Sequence, residues 1–172
     1  MSQACRLALI GLFALAAPLA LAGPEAGDRS FMIAGSGTSD DSFDEAAYGL
    51  AGQLGWFVSD QLELGIRQSI NGDYRDEGTS RWAASTRGYA DWHFGSGIAR
   101  PFLGVSLGGV YGKETNNTGA AGLDAGAKWF VKDKTFILTM IEWQWLFDSA
   151  DDVGETFDDG AFFYTIGIGY NF

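Results

Sequence analysis

The C-terminal stretch, residues 162–172, reads FFYTIGIGYNF and carries a large apolar side chain at every second position. Successive side chains of a β-strand point to opposite faces, so this spacing predicts a strand with one continuous apolar face. The residues of that face are Tyr164, Ile166, Ile168, Tyr170 and Phe172. The stretch therefore predicts a β-fold whose strands are apolar on one side.

The same alternation recurs in the preceding segments, each of roughly ten residues, the length of a strand that crosses a membrane. One segment sets Leu62, Leu64 and Ile66 against Glu63 and Arg67. The six tryptophans lie on the apolar parity: Trp56, Trp82, Trp92, Trp129, Trp143 and Trp145. The charges within the segments lie on the other parity, which is rich in Gly, Ala and Ser: Glu63, Arg67, Arg87, Asp91, Asp124, Lys128 and Glu142.

Two kinds of break separate these segments. Short breaks lie around 58–61, 95–100 and 132–134, and longer, mostly acidic breaks lie around 38–46, 69–81, 112–120 and 148–160. Three short turns and four long loops join eight strands. This rhythm is typical of an outer-membrane barrel with tight periplasmic turns and long external loops.

A soluble barrel of the lipocalin type would show the same alternation with its apolar face turned inward. Two observations oppose that alternative: the lumen of eight strands is too narrow for six tryptophans, and the aromatic residues form two belts. One belt comprises Trp56, Trp92, Trp129 and Phe172, and the other comprises Tyr48, Trp82, Tyr111, Trp145 and Phe147. We therefore expect an all-β, eight-stranded antiparallel up-and-down transmembrane β-barrel with tryptophans toward lipid.

The N-terminus has the features of a secretory signal. Arg6 precedes the apolar run 7–21, and Ala-Leu-Ala at 20–22 supplies a small-x-small cleavage pattern. We expect residues 1–22 to be a cleaved signal peptide and 23–172 to form the barrel domain. Taking Arg6 from the net charge of −11 gives −12, which argues against nucleic-acid binding. Cys5, the one cysteine, would leave with the signal peptide.

The alternation Tyr164, Ile166, Ile168, Tyr170, Phe172 resembles the C-terminal signal that the barrel-assembly machinery of Gram-negative outer membranes recognises. With eight strands and this loop rhythm, residues from about 30 to 172 are similar to the small OmpA-like, OmpX-like and opacity-type barrels. The resemblance implies an outer-membrane location and contact with outer-membrane lipid and lipopolysaccharide; we also expect a monomer. Because the sequence ends at Phe172, the periplasmic peptidoglycan-binding domain of OmpA is not expected.

The seven lumen charges lead to two hypotheses. A hairpin centred near Tyr74 or Arg75 would set Glu63 opposite Arg87, whereas a shifted register would set Asp91 opposite Glu63 and Arg67 opposite Arg87. Buried charges are costly unless paired, so the favoured interpretation is a structural network that fills the lumen. The alternative is a pore whose salt bridges exchange to let ions or small solutes pass.

Enzymatic and metal-binding functions have weaker support. A lipid A-modifying hydrolase needs a serine beside a base, but the one histidine, His93, lies near the periplasmic end with Ser96 in the following turn. The acidic loops could hold divalent cations, although none has the spacing of a twelve-residue calcium loop. Their acidic residues are Asp40, Asp41, Asp44, Glu45, Asp73, Asp76, Glu77, Asp148, Asp151, Asp152, Glu155, Asp158 and Asp159. We expect a non-enzymatic surface barrel without a cofactor or a dedicated metal site.

Overall fold

A computed structural model describes residues 24–39, 45–75, 81–113, 115–148 and 156–172. Eight antiparallel strands form a closed barrel in which each strand pairs with its neighbours in sequence and β8 pairs with β1. The strands are β1 (Arg29–Ser39), β2 (Glu45–Phe57), β3 (Leu62–Arg75), β4 (Arg81–His93), β5 (Ala99–Lys113), β6 (Thr115–Phe130), β7 (Thr135–Phe147) and β8 (Ala161–Asn171). A short 3₁₀ helix, Phe157–Asp159, precedes β8. The predicted eight-stranded antiparallel barrel is confirmed.

The turns at 58–61 and 132–134 lie between strands as predicted, whereas several other predicted breaks are too wide. Strand β3 continues to Arg75, so most of the predicted loop 69–81 is strand. The predicted loop 112–120 is wrong, because β5 and β6 are separated by residue 114 alone. Likewise, β5 begins at Ala99, inside the predicted turn 95–100. In these strands the backbone pairing continues beyond the residues that alternate between apolar and polar. The polar residues that were predicted to form loops are therefore part of the strands.

Large apolar side chains cover the exterior. Trp56, Trp82, Trp92 and Trp129 are exposed there, and Trp143 is half-buried. Trp145 is only 8 % exposed, because Phe157 of the 3₁₀ helix packs against it with ring centroids 4.9 Å apart. The alternate residues of the C-terminal stretch are also exposed: Tyr164, Ile166, Ile168, Tyr170 and Phe172. Their proposed recognition by the assembly machinery stays a prediction.

The lumen has a polar middle and an apolar plug at one end. We call the end with the turns 58–61, 94–98 and 131–134 the turn end and the opposite end the loop end. The plug lies near the turn end and consists of Met32, Phe102, Phe130, Phe136, Leu138 and Met140. Several of these residues lie on the same side of their strands as the lumen charges. The lumen-facing side of the strands, which is polar further along the barrel, is therefore apolar near the turn end.

The described part of the chain contains no helix long and apolar enough to cross a membrane. The predicted signal peptide, residues 1–22, lies outside the described residues, as do residues 40–44, 76–80 and 149–155 of the long loops.

Candidate functional site in the barrel lumen

Strand register places charges of the same sign opposite one another. Of the two registers that the sequence left open, β3 and β4 adopt the shifted one, with Glu63 opposite Asp91 and Arg67 opposite Arg87. On the other side of the barrel, β6 and β7 set Asp124 opposite Glu142. Like charges directly opposite in a sheet are destabilising, so the compensation has to come from across the lumen.

Glu63 is the centre of the first charge cluster. Its Oε2 accepts hydrogen bonds from Lys128 Nζ at 2.6 Å and lies 2.9 Å from His93 Nε2. Its Oε1 accepts hydrogen bonds from Tyr89 at 3.0 Å and from Ser30. All five residues are buried. Side chains from three other strands, β1, β4 and β6, therefore converge on one carboxylate of β3 and link opposite walls of the barrel.

Aromatic rings enclose the two basic side chains of this cluster. Lys128 Nζ lies 4.6 Å from the ring centroid of Phe136 and 5.1 Å from that of Phe57, within the range of cation–π attraction. The His93 ring lies between Phe57 and Phe102, with both centroids 5.3 Å away. The apolar plug thus shields the Glu63 cluster from the turn end.

A second cluster lies toward the loop end. Arg67 Nη1 is 3.2 Å from an oxygen of Asp124 and 3.2 Å from one of Glu142. Arg87 forms an ion pair with Glu142, whose carboxylate also accepts a hydrogen bond from Ser106 at 3.2 Å. The two arginines on one wall are therefore neutralised by two carboxylates on the other. This arrangement explains how the Arg67–Arg87 and Asp124–Glu142 strand pairs are tolerated.

Glycines make room for this network. An added Cβ at Gly122 would overlap the Glu142 carboxylate and lie 2.5 Å from Ser106 Oγ. Added Cβ atoms at Gly55 and Gly104 would overlap Glu63 and Asp91 in the same way. The glycine-rich lumen register is thus required by the close approach of charged side chains.

Gly122→Ala is expected to lower the free energy of unfolding by about 1–3 kcal/mol, since overpacking would displace the Glu142 carboxylate. Urea unfolding in lipid vesicles, followed by gel mobility of the folded barrel, measures this change. Gly109→Ala is the matched control, because its nearest neighbour would be Thr118 O at 3.6 Å. Equal stability of the two variants would show that the lumen has room at Gly122.

Asp91 is the exception within the lumen. It is fully buried, and neither carboxylate oxygen has a hydrogen-bond partner among the described residues. Asp91, Glu63 and His93 each offer a ligand atom, all within 4.8 Å of one another. However, Glu63 already has Lys128, Tyr89 and Ser30 as donors, so a metal ion would have to displace the lysine ammonium. The geometry therefore supports a hydrogen-bonded ion cluster better than a metal centre.

Asp91→Asn is expected to raise the free energy of unfolding by about 1–3 kcal/mol at neutral pH, because it removes a buried carboxylate that has no hydrogen-bond partner and faces Glu63. The same urea titration provides the test. Asp124→Asn is the matched comparison, since Asp124 is paired with Arg67 and its loss is expected to destabilise. A fall in stability for Asp91→Asn would mean that its charge is compensated.

All seven lumen charges predicted from sequence lie buried inside the barrel, and six of them belong to the two clusters. Sequence reasoning missed Arg100, a buried residue whose guanidinium donates to the carbonyl oxygens of Gly95, Pro24 and Asp60 at 3.1–3.2 Å. Its position on the lumen parity of β5, two residues before Phe102, was the available signal. Arg100 therefore links the 58–61 turn, the 94–98 turn and the N-terminal segment at the turn end of the barrel.

A cavity of about 370 Å³ occupies the lumen on the loop-end side of the second cluster. Arg67, Arg87 and Glu142 line it, together with small residues such as Ala34 and Ser85. Residues 163–166 of β8 also line the cavity. Among the described residues, the lumen is consequently filled near the turn end and contains this cavity on the loop-end side of the second cluster.

An apolar exterior around a charged lumen defines a small eight-stranded β-barrel of the outer-membrane type. Solved structures with this fold include the N-terminal β-barrel domain of Pseudomonas aeruginosa OprF, with a TM-score of 0.52, 18 % identity, and 86 % of this chain and 98 % of that chain covered. Neisserial surface protein A has a TM-score of 0.52 at 11 % identity, covering 84 % and 94 %. The Yersinia pestis outer membrane protein Ail has a TM-score of 0.51 at 16 % identity, covering 85 % and 99 %.

These likenesses bear out the structural resemblance to small outer-membrane barrels, and at such identities they show the fold alone. Comparison with protein-family models finds no match, and comparison with curated protein sequences finds none either.

Proposed function

We propose that the chain is an exported outer-membrane barrel with a structural and surface-interaction role and no enzymatic activity. The observation that carries this proposal is the distribution of polarity: exposed apolar side chains surround the barrel, and six of the seven predicted lumen charges are paired inside it. Lipid offers no partner to backbone groups, so a membrane-spanning sheet has to close on itself. The closed barrel is consistent with this requirement.

Location is tested by expressing the full chain in a Gram-negative host and separating inner and outer membranes. We expect the protein in the outer-membrane fraction, with residues 1–22 absent from its mass and with a gel mobility that changes on boiling. Deleting Phe172 is expected to reduce the folded fraction, whereas Phe94→Ala, which removes an exposed ring from the 94–98 turn, is the control. Recovery in the soluble periplasmic fraction would contradict the proposal.

The proposed surface role is assigned to the loop end of the barrel, because the acidic residues of the sequence are concentrated there. The structure describes the side chains of Asp73, Asp148 and Asp159 among them, and Asp148 accepts a hydrogen bond from Thr118 Oγ1 at 3.2 Å. The other loop acids lie outside the described side chains. Divalent cations that bridge lipopolysaccharide are the partners we propose for this face. Titration calorimetry with Ca²⁺ tests the proposal, and the absence of heat at millimolar concentrations would oppose it.

A gated pore is the second candidate, because Glu142 is shared by Arg67 and Arg87 and an exchange of partners would change the width of the lumen. The plug between this cluster and the turn end favours a closed lumen. We therefore expect no resolvable single-channel current in planar bilayers for the wild type or for Arg87→Ala. Discrete openings that Arg87→Ala alters would support the pore instead.

The lipid A-modifying alternative has little support in the geometry. His93 is fully buried between two phenyl rings, and its Nε2 contacts Glu63, whereas Ser96 is exposed in the following turn. We expect purified barrel to leave the mass of lipid A unchanged. A mass shift that His93→Ala abolishes would overturn this expectation.

A further inference from the structure

The seam between β1 and β8 is paired over only part of its length. Five residue pairs join the two strands, from Ser30 opposite Asn171 to Ala34 opposite Gly167. Beyond Ala34, residues 35–39 pair with β2 alone, and residues 161–166 pair with β7 alone. The barrel wall therefore has a slot on the loop-end side of this seam.

Unpaired strand edges need an explanation in a membrane-spanning barrel. Each backbone group without a partner in hydrocarbon costs several kcal/mol, and lipid tails provide no such partner. Two residues beside the slot, Tyr164 and Ile166, are 75 % and 72 % exposed, the largest values among the large apolar side chains of the described residues. The slot thus joins a lipid-facing surface to the interior.

The lumen cavity lies directly behind the slot. Its lining includes Ala34 and Gly35 of β1 and residues 163–166 of β8, which are the two sides of the opening. From there the cavity reaches Arg67 and Arg87. An elongated molecule in the bilayer could therefore enter sideways and reach the charge cluster.

Arg67 and Arg87 each have N–H groups that donate no hydrogen bond to a described residue. Both are at least 95 % buried, yet Arg67 Nε, Arg67 Nη2 and Arg87 Nε have no acceptor among the described residues. Buried donors without acceptors are costly, and a charged donor more so. Because both arginines line the cavity, a molecule bound there could supply acceptor oxygens to these N–H groups.

Charge balance specifies which acceptor fits. Arg67 and Arg87 are already neutralised by Asp124 and Glu142, so the cluster has no net charge. A ligand carboxylate would add an uncompensated buried negative charge next to Glu142. An ester carbonyl or ether oxygen accepts hydrogen bonds without that cost.

From the slot, the cavity and the donors, we propose that the lumen binds an uncharged single-chain amphiphile that enters laterally between β1 and β8. Its carbonyl or ether oxygen accepts hydrogen bonds from the arginines, and its alkyl chain extends through the slot into the bilayer. This lateral binding site goes beyond a purely structural role for the barrel, and it does not require an open axial pore.

The test uses the full chain with Cys5→Ser, reconstituted in phospholipid nanodiscs, and a C16 fatty acid methyl ester with a diazirine beside the ester. Photolysis is expected to attach the probe to lumen residues of the cavity such as Ser69, Ser85 and Gln144. The free fatty acid with the same diazirine is the matched probe. At neutral pH it is expected to label these residues about tenfold less, the effect of a penalty of about 1.4 kcal/mol.

Closing the slot provides the structural control. Continuing the β1–β8 register past Ala34 and Gly167 would bring Gly35 opposite Ile166, so a Gly35→Cys/Ile166→Cys disulfide should hold the slot shut. Lumen labelling is expected to disappear in the oxidised protein and to return on reduction. An Ile33→Cys/Ile168→Cys disulfide lies within the existing pairing and should leave lumen labelling unchanged.

Ala83→Trp offers a second way to block the site, because Ala83 lines the cavity and a large ring there would fill it from within. Loss of lumen labelling in this variant, with exterior labelling retained, would support the proposal even if the slot disulfide does not form. Labelling confined to lipid-facing residues in the wild type would overturn it. Equal lumen labelling with the slot locked, or by the free fatty acid, would also overturn it.

Discussion

Replacing Glu63 with alanine is expected to lower the free energy of unfolding by about 3–5 kcal/mol, the cost of breaking a buried ion pair by removing one partner. Lys128 would keep its charge between two phenyl rings without a counter-charge. Tyr89 and Ser30 would lose their acceptor at the same time. Urea unfolding in lipid vesicles measures the loss.

Two comparisons separate this effect from a general loss of acidic charge. Asp133→Asn removes an exposed carboxylate from the 131–134 turn and is expected to change stability by less than about 0.5 kcal/mol. Adding Lys128→Met to Glu63→Ala should recover part of the loss, because the uncompensated ammonium is gone. If Glu63→Ala were as stable as the wild type, Glu63 would not be the centre of the first cluster.

Glu142→Gln is expected to be nearly as damaging, at about 3–5 kcal/mol, because Glu142 is the ion-pair partner of Arg87 and one of two partners of Arg67. Asp124→Asn should cost less, about 1.5–3 kcal/mol, since Arg67 keeps Glu142. Both substitutions preserve side-chain size, so packing is matched between them. Paired unfolding curves measure the difference.

The order of stability of Glu142→Gln and Asp124→Asn shows which carboxylate is the centre of the second cluster. Greater destabilisation by Asp124→Asn would mean that Arg87 has another partner and that the second cluster is organised around Asp124. Adding Arg87→Met to Glu142→Gln should restore stability more than adding it to Asp124→Asn, because only the first combination removes the orphaned guanidinium.

The number of strands and the face on which each side chain lies could be predicted from the sequence, because both depend on the alternation of apolar and polar residues at every second position. Glu63 and Arg67 stand on one parity and Leu64 and Ile66 on the other, and the barrel keeps them on opposite faces. The sequence could not choose between the two β3–β4 registers, since either one buries all the charges. The interactions that decide it are made across the lumen, as between Arg67 and Asp124.

Other features were beyond the sequence for different reasons. Phe136 and Leu138 lie on the polar parity, and their packing into a plug depends on Met32, which is more than a hundred residues away. The slot depends on how far β1 and β8 pair, and these strands come from opposite ends of the barrel domain. Local periodicity contains no information about either non-local contact.

We propose that the aromatic exterior of the barrel faces lipid while the charges lie inside. Tryptophan fluorescence in vesicles that contain brominated phospholipids tests it most directly, with single-tryptophan variants that retain Trp56, Trp92 or Trp129 in turn. We predict strong quenching of each by bromines on the acyl chains and little quenching by aqueous acrylamide. Insensitivity to brominated lipid, with a protein that folds without lipid or detergent, would show that these tryptophans do not face lipid.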